Sequence, residues 1–446
     1  MGAGFRQAGA ARVAAGDDAV SAGAAGEPRG LWNRGFLSLV ATQFFEAASD
    51  NVIKGVLSFA VAVGAPWEAV FGTGGNGLVG LVFVAPFVAL SAFGGRIADR
   101  HSKSRITVLL KAISLGVAAF TAWAFAAGSA WGALAALAAF STVSAFFGPV
   151  KYGMIPELVG RGQIARANGI INMSTNVAVI AGMLVAGIVA HRWKGGFADG
   201  APSGASAWLP GIAMAVAVAL GFLTCLTLPR LRPQDPGLPV DLNPLSTYVS
   251  TLRAMAGGPL LGVAFAWTFF YFTASTVLLV LPDYSAFLGV TDEETSLLMA
   301  ALGVAIGVGC VAAAYLDSPA RRRAFVTAGA SGLGAGFLAL GLAPPSFGLT
   351  MALLAAAGLV AGLYIIPLQS MLQALAPDES RGRVLGTANG LSFVMAGVGS
   401  GLFAALRHAG MPSNRVFLVL AGCCVAMAFA VRGRLLRHAS RDSSSA

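Results

Sequence analysis

The chain has 446 residues, of which 57% are apolar and only 11% are charged, and its mean hydropathy is +0.76. Soluble globular proteins carry roughly 25% charged residues, so this composition excludes that class and indicates a polytopic membrane protein. The net charge of +10 does not indicate a nucleic-acid partner, because the basic residues are divided among short segments between apolar runs instead of forming one patch.

Residues 1–33 precede the first apolar run. They are rich in Ala and Gly, contain Asp17, Asp18 and Glu27, and have no apolar core. The missing core excludes a secretory signal peptide, and the acidic residues argue against a transit peptide. We therefore expect a disordered cytoplasmic N-terminal tail.

Apolar runs of about twenty residues, the length that crosses a bilayer, predict twelve transmembrane helices. They lie near residues 35–63, 78–98, 105–127, 131–157, 168–190, 208–228, 259–287, 295–316, 324–343, 349–374, 385–405 and 411–431. The expected fold class is therefore an all-α polytopic membrane protein.

A Pro-rich stretch falls at the midpoint of the chain. Residues 230–258 are predicted to be a cytoplasmic linker, with a short interfacial helix around Leu245 to Met255. The linker separates an N-terminal six-helix half, residues 34–229, from a C-terminal six-helix half, residues 259–431. A basic cytoplasmic tail, residues 432–446, follows the second half.

The two halves repeat short patterns at matching positions. Ala-Asn-Gly at 167–169 recurs at 388–390, about half the chain later, and the Phe-Phe and Ala-Ser pairs of 44–49 recur within 269–275. Two parallel six-span halves are typical of the major facilitator fold.

The Lys and Arg residues orient the spans, because they concentrate in cytoplasmic loops. With the N-terminus inside, 23 of the 29 basic residues fall on inner segments and only four fall on outer loops. Those four are Arg192, Lys194, Arg407 and Arg415. Both termini are therefore predicted to be cytoplasmic.

The first span carries three charged side chains, Glu46, Asp50 and Lys54, at intervals of four residues. This spacing places them on one stripe of a helix, and each charge within the bilayer costs roughly 2.5–3.5 kcal/mol on insertion scales. We interpret the stripe as the lining of a wet central cavity, which indicates a transporter. In the alternative, Lys54 reaches the outer interface while the two acids pair with it or with another helix.

The loop between spans 2 and 3, residues 95–105, reads Gly-Arg-Ile-Ala-Asp-Arg-His-Ser-Lys-Ser-Arg. It resembles the major facilitator signature loop. Gly95 would permit close helix contact. Asp99 would cap, or pair with Arg100, Lys103 or Arg105, in a latch that holds the halves together on the inside. The alternative is a plain positive-inside loop. The residues assigned to the latch are Gly95, Asp99, Arg100, Lys103 and Arg105.

The inner end of span 4, residues 146–158, reads Phe-Phe-Gly-Pro-Val-Lys-Tyr-Gly-Met-Ile-Pro-Glu-Leu. Pro149 and Pro156 each remove a helix hydrogen bond, so we expect a kinked, gating helix end that presents Lys151 and Tyr152 to the interior. Lys151 would engage an anionic group as a point charge. In the alternative interpretation, Lys151 snorkels to the cytoplasmic surface and Tyr152 lies at the membrane interface.

Together these motifs resemble the bacterial lysophospholipid transporter family. The resemblance rests on residues 43–45 and 50–54, the run 146–153, the tripeptide 167–169, and residues 362–369, 376–377 and 381–384. It extends from about Phe36 to the last span. It implies a flippase that brings lysophospholipids to the inner leaflet of a bacterial cytoplasmic (inner) membrane.

The resemblance also implies partners and site residues. An acyltransferase that re-esterifies the lysophospholipid is an expected partner, the transporter is expected to be a monomer, and Asp50 and Lys151 match positions associated with the head group. We expect no nucleic acid, cofactor or metal. The full set of expected substrate-binding residues is Glu46, Asp50, Asn51, Lys54, Lys151 and Tyr152.

Two features depart from the family pattern. Some relatives have a basic residue in helix 7, where this chain offers only hydroxyl side chains, and Glu46 is an additional acid. The hydroxyl residues are Thr268, Thr273, Ser275 and Thr276. A cavity with more acid and less base favours a zwitterionic or cationic group over a purely anionic one.

Five other polar residues in or beside the spans receive simpler interpretations. Lys111 in span 3 is expected to snorkel inward. Asn168 and Asn389 are expected to cap helices or to bond between them. Arg381 and Arg383 are expected to be positive-inside charges that also latch the second half.

The second functional hypothesis is proton-coupled efflux of drugs or small amphiphilic metabolites. Glu46 or Asp50 would then carry the proton. An enzyme is not expected, since none of the four histidines belongs to an acyltransferase or zinc motif and no Ser nucleophile elbow or P-loop is present.

Overall fold

The structure is a computed structural model that describes residues 30–61, 65–72, 75–198, 201–239 and 243–432. Twelve long helices coincide with the twelve predicted spans and confirm the all-α fold class. They are α1 Arg34–Ala60, α2 Gly75–Arg100, α3 Lys103–Ala126, α4 Ala130–Leu158, α5 Ile164–Gly195, α6 Leu209–Cys225, α7 Leu260–Leu288, α8 Asp292–Leu316, α9 Arg322–Leu342, α10 Phe347–Leu375, α11 Arg381–His408 and α12 Ser413–Ala430. Most of the two predicted tails, residues 1–29 and 433–446, lies outside the described residues.

Shorter elements join the long helices. A linker helix, Pro244–Ala256, precedes α7, and one helical turn covers Glu68–Phe71. The two-residue strands Phe197–Ala198 and Ala201–Pro202 pair in antiparallel fashion. Turns of 3₁₀ helix cover Arg161–Gln163, Gly204–Trp208 and Asp378–Ser380.

Eleven of the described helices are long and apolar enough to cross a membrane by length and composition. The exception is α1, because its polar and charged residues lower its hydropathy. Its 27 residues span about 40 Å, more than the roughly 30 Å of a hydrocarbon core. It packs lengthwise against α5 and α6, so it is the twelfth spanning helix of the bundle.

Local sequence sets where several helices begin and end. The Asn33 side chain accepts a hydrogen bond from the Phe36 amide at the start of α1, and its Nδ2 donates to the carbonyl of Leu158 at the end of α4. Thr291 and Glu294 form a capping box at the start of α8. Gly128, with φ of +67°, turns the chain between α3 and α4.

Helix packing repeats with an offset of six helices. The pairs α1–α5, α2–α4 and α3–α6 in the first half correspond to α7–α11, α8–α10 and α9–α12 in the second. The two largest contacts between halves, α2–α11 and α5–α8, are related by the same offset. The bundle therefore consists of two six-helix halves that use equivalent helices to meet.

Small residues bring helices together, as expected where apolar lipid supplies no hydrophobic driving force. A Cβ at Gly362 of α10 would overlap the backbone of Gly309 on α8, and one at Gly211 of α6 would overlap Ala122 of α3. The apolar core is divided in the same way as the helices. One cluster fills the second half, and two fill the first.

Candidate functional site

The bundle has a basic end and a far end. The basic end is the end at which Arg100, Lys103, Arg381 and Arg383 lie, where α2 stops and α3 and α11 begin. The far end is the opposite one.

A buried cluster of charged side chains joins α1, α3 and α4. Glu46 is 5% exposed and forms an ion pair with Lys111, which is 1% exposed. Ser144 Oγ lies 3.0 Å from Glu46 Oε1 and 2.8 Å from Asp50 Oδ1. A hydroxyl has one proton, so Ser144 donates to one carboxylate at a time. The cluster neutralises Glu46 and orients Asp50.

The inward snorkelling predicted for Lys111 is wrong. Its Nζ pairs with Glu46 and lies 4.2 Å from the centre of the Phe147 ring. Lys111 stands eight residues into α3, about 12 Å from the basic end, so staying inside requires a partner charge. Glu46 supplies it. Sequence reasoning missed this pair because the two residues are on different helices, although two opposite charges at similar depth are a usable signal.

The predicted stripe of α1 does not face one surface. Each four-residue step turns about 40° around a helix, so Glu46 and Lys54 point about 80° apart. Glu46 faces α3 and α4, Asp50 is half-buried beside Ser144, and Lys54 is half-buried with its Nζ 5.1 Å from the Phe83 ring centre on α2. Of the three, Asp50 and Lys54 are partly exposed and Glu46 is buried.

Asn51 lies apart from the other expected substrate-binding residues. Its Nδ2 donates to the carbonyl of Ala47, 2.8 Å away in the same helix. Its Cβ lies 3.0 Å from the position that a Cβ would take at Gly182 of α5. The Asn51 side chain therefore fills the α1–α5 interface and does not join the charged cluster that contains Asp50.

Lys151 and Tyr152 are half-buried on α4. Lys151 Nζ lies 4.4 Å from the centre of the Tyr152 ring, and the Tyr152 carbonyl accepts a hydrogen bond of 3.3 Å from Gln373 Nε2 of α10. Lys151 is seven residues closer to the basic end than Ser144, which is about 10 Å along the helix. The helix α4 continues as one α-helix through Pro149 and Pro156.

Asp99 joins the two halves at the basic end. Its side chain is fully buried and accepts hydrogen bonds from the backbone amides of Gly382 and Arg383 at 2.6 and 3.0 Å, and from Arg383 Nε at 3.2 Å. Asp99 therefore takes the capping role, because the first turn of α11 offers unbonded amides and a positive dipole end. Its ionic partner is Arg383, not the expected Arg100, Lys103 or Arg105.

The other residues assigned to the latch have separate partners. Lys103 pairs with Glu157 at 2.6 Å within the first half. Arg100 donates to the carbonyl of Leu238 in the linker at 2.9 Å. Arg381 pairs with Asp378 and donates to the carbonyl of Gln373. Exposed Arg105 takes no part in the contact between halves.

The repeated Ala-Asn-Gly tripeptides form equivalent contacts between halves. Asn168 Nδ2 of α5 donates to Gln373 Oε1 of α10 at 2.7 Å. Asn389 Nδ2 of α11 donates to Ser91 Oγ of α2 at 3.1 Å and lies 3.1 Å from the Cβ position of Gly148. Each asparagine therefore bonds between helices, one of the two roles expected from the sequence.

The closest backbone contacts between the halves lie toward the basic end. A Cβ at Gly95 would lie 2.6 Å from the carbonyl carbon of Gly382, but nothing lies within 4 Å of a Cβ at Gly80 on α2 or at Gly397 on α11. Between α5 and α8, a Cβ at Gly169 would lie 2.8 Å from the Cys310 carbonyl oxygen, whereas one at Gly303 reaches only Ile180 at 4.0 Å. The interior is thus closed at the basic end.

The four hydroxyl residues of α7 do not extend the charged site. Thr268, Thr273 and Thr276 are buried and donate to carbonyls of their own helix, while Ser275 Oγ donates to the carbonyl of Ala396 on α11 at 2.8 Å. Their donor hydrogens are therefore used within the bundle.

Comparisons with known proteins agree with this architecture. The family profile of the Major Facilitator Superfamily matches residues 39–402. The "Lysophospholipid transporter LplT" of Enterobacter sp. (strain 638) is 26% identical over 399 residues, which cover 86% of this chain and 91% of that protein.

Solved structures show the same fold at lower identity. The human organic anion transporter MFSD10 aligns with a TM-score of 0.70 at 14% identity, covering 89% of this chain and 99% of that one. A bacterial homologue of the iron transporter ferroportin in an outward-facing state aligns with a TM-score of 0.68 at 14% identity, covering 91% and 99%.

Proposed function

Because the chain belongs to the Major Facilitator Superfamily, we propose that it is an alternating-access transporter, not an enzyme, that moves a lysophospholipid-like amphiphile across the inner membrane of a bacterium. One observation carries the proposal. Asp50, Lys54 and Lys151 are half-buried in the interior of the bundle, and no ion pair among the described residues includes any of them. The similarity to proteins named lysophospholipid transporters supports the substrate class.

The available charges fit a zwitterionic head group. With Glu46 neutralised by Lys111, one carboxylate and two ammonium groups remain for a ligand. A phosphate would bind Lys151 or Lys54, and a head-group ammonium would bind Asp50, since each buried charge then gains a partner. The acid excess expected from the sequence is thereby reduced, because Glu46 is not free to contact the substrate.

Alternating access would proceed by breaking the contacts at the basic end. We propose that this end faces the cytoplasm, because most Lys and Arg residues fall on the segments that would lie there, and that both termini are cytoplasmic. The described conformation would then be closed inside and accessible from outside. Opening inward requires Asp99 to leave the α11 amides and Asn168 to leave Gln373.

The driving force would come from outside the chain. No phosphate-binding loop is present in the sequence, so we propose that net movement follows removal of the product, for example by an acyltransferase that re-esterifies the lysophospholipid. A single copy would suffice, because both halves of the cavity come from one chain.

The test is transfer of labelled lysophosphatidylethanolamine across the membrane of proteoliposomes that contain the full chain. Loss of a charge-assisted hydrogen bond costs about 1.5–3 kcal/mol, so Asp50→Asn and Lys151→Gln should each slow transfer about tenfold or more. Asn51→Ala is the matched control and should transfer at the parent rate. Parent-like transfer by both charge variants would refute the assigned site.

The same proteoliposomes distinguish the alternative function, proton-coupled efflux, from the proposed lysophospholipid transfer. Ser144 lies within hydrogen-bonding distance of two carboxylates, an arrangement that would also suit a proton carrier. Proton-coupled efflux of a drug or small amphiphile requires transport that follows an imposed pH gradient. Lysophosphatidylethanolamine transfer that is unchanged by the gradient would support the proposed flippase.

A further inference from the structure

A furrow lies between α3 and α4 at the basic end, apart from the interior charged cluster. It encloses about 1100 Å³, at the upper limit of the roughly 300–1,000 Å³ typical of small-molecule sites. Its walls are apolar and include Leu109, Ile113 and Val117 of α3 and Val143 and Phe146 of α4. Leu109 and Ile113 are 60% and 46% exposed, so the furrow is open along the lipid-facing side.

The furrow has the length of one leaflet. Arg105, Leu109, Ile113 and Val117 of α3 all line the furrow. They form an α3 stripe about 18 Å long that starts at the basic end and winds partly around the helix, since each four-residue step turns about 40°. Half of a hydrocarbon core is roughly 15 Å thick. The stripe thus begins with a charge at the membrane surface and continues with apolar side chains to the bilayer midplane.

The mouth of the furrow is strongly basic. Arg105, Arg230 and Arg232 line it together with His101, and no acidic residue lines the furrow. Within the part of the chain that the structure describes, none of the three arginines has an ion pair or hydrogen bond. The Leu231 amide donates to Ser104 Oγ at 3.2 Å, which holds the segment after α6 against the start of α3.

We propose that this α3–α4 furrow binds one anionic phospholipid from the leaflet at the basic end. The phosphate would bind the arginines, whose planar guanidinium groups suit bidentate contact with phosphate oxygens. An acyl chain would lie along the α3 stripe. Because Arg230 and Arg232 follow α6 and Arg105 belongs to α3, the bound lipid would fasten the start of the linker to the first half.

This lipid is distinct from a transported substrate. Glu46 and Lys111, behind the α3–α4 interface, are nearly fully buried, and the furrow opens away from them. The proposal therefore does not depend on the transported molecule. It predicts a retained structural lipid with a preference for a net negative head group.

The test is native mass spectrometry of the full chain in detergent with added phosphatidylglycerol or phosphatidylcholine. The parent should retain phosphatidylglycerol at least tenfold more than phosphatidylcholine. The variant Arg105→Gln/Arg230→Gln/Arg232→Gln should lose that preference, since each basic residue near an anionic lipid contributes about fivefold. The matched control, Arg34→Gln/Arg253→Gln/Arg321→Gln, removes three exposed charges outside the furrow and should behave like the parent.

A second variant tests the apolar part of the site. Ala139→Trp fills the furrow from α4 but keeps every arginine, so it should also lower phosphatidylglycerol retention about tenfold. Equal retention of the two lipids by the parent, or parent-like retention by both the triple variant and Ala139→Trp, would overturn the proposal. Size-exclusion elution at the parent volume checks that each variant is folded.

Discussion

At the residue scale, the pairing of Glu46 with Lys111 determines which charges remain for a ligand. Both side chains are almost completely buried, and an ion pair in such a place is weak evidence of stability because desolvation offsets the attraction. Removing one partner is different, since it leaves an uncompensated charge. The pair therefore constrains both the stability and the net charge of the interior.

Lys111→Met should destabilise the protein by about 3–5 kcal/mol, because Glu46 is left charged without a partner. Glu46→Gln/Lys111→Met should recover most of the loss, since neither charge remains. Thermal unfolding of both variants and of the parent in the same detergent measures the effect. A double variant no more stable than Lys111→Met would mean that the two residues are not energetically coupled.

At the element scale, the closed end depends on backbone contact between α2 and α11. Gly95 and Gly382 have no side chains at the contact, which allows Asp99 to reach the first turn of α11. Tyr248 of the linker helix adds a hydrogen bond of 2.7 Å to the Val88 carbonyl of α2, and its burial raises the pKa of the Tyr248 hydroxyl to about 12. The phenol therefore stays protonated, as a donor, throughout the physiological pH range.

Gly95→Ala should prevent this end from closing, because the added Cβ would overlap the carbonyl of Gly382. Spin labels at Arg105→Cys and Arg321→Cys, one in each half, should report longer distances by pulsed electron resonance. Gly116→Ala on α3 is the matched control, since a Cβ there meets nothing within 4 Å. Unchanged distances in Gly95→Ala would show that the α2–α11 contact does not limit closure.

At the scale of the whole molecule, the contacts between the halves and the distribution of charge together indicate the side of the membrane from which the interior is accessible. The halves meet through α2–α11 and α5–α8, with their closest backbone contacts at the basic end. If the basic end is cytoplasmic, the described state is accessible from outside.

This orientation predicts that tags at both termini are protected from added protease in intact cells after the outer membrane is permeabilised, and cleaved after lysis. The reason is the excess of Lys and Arg on the segments assigned to the inside. A tag in the segment between α5 and α6 serves as the control and should be cleaved in intact cells. Cleavage of both terminal tags before lysis would reverse the assigned orientation.

The sequence by itself determined the number, order and approximate bounds of the spanning helices, because a bilayer requires about twenty apolar residues per crossing. Its short repeats also indicated two related halves. Asp50, Lys54 and Lys151 could be selected as candidates because charges within apolar runs are costly.

Only the tertiary structure decided which charges meet. Glu46 pairs with Lys111, which lies 65 positions away in the sequence. Asp99 binds the amides of Gly382 and Arg383 in the opposite half. The uncharged Asn51 lies in the α1–α5 interface. Helical periodicity shows on which face of its helix a side chain lies. Which residue it contacts depends on how the neighbouring helices are rotated and staggered. The rotation and stagger of the helices depend on how small residues pack between them, so the sequence of a single span does not determine them.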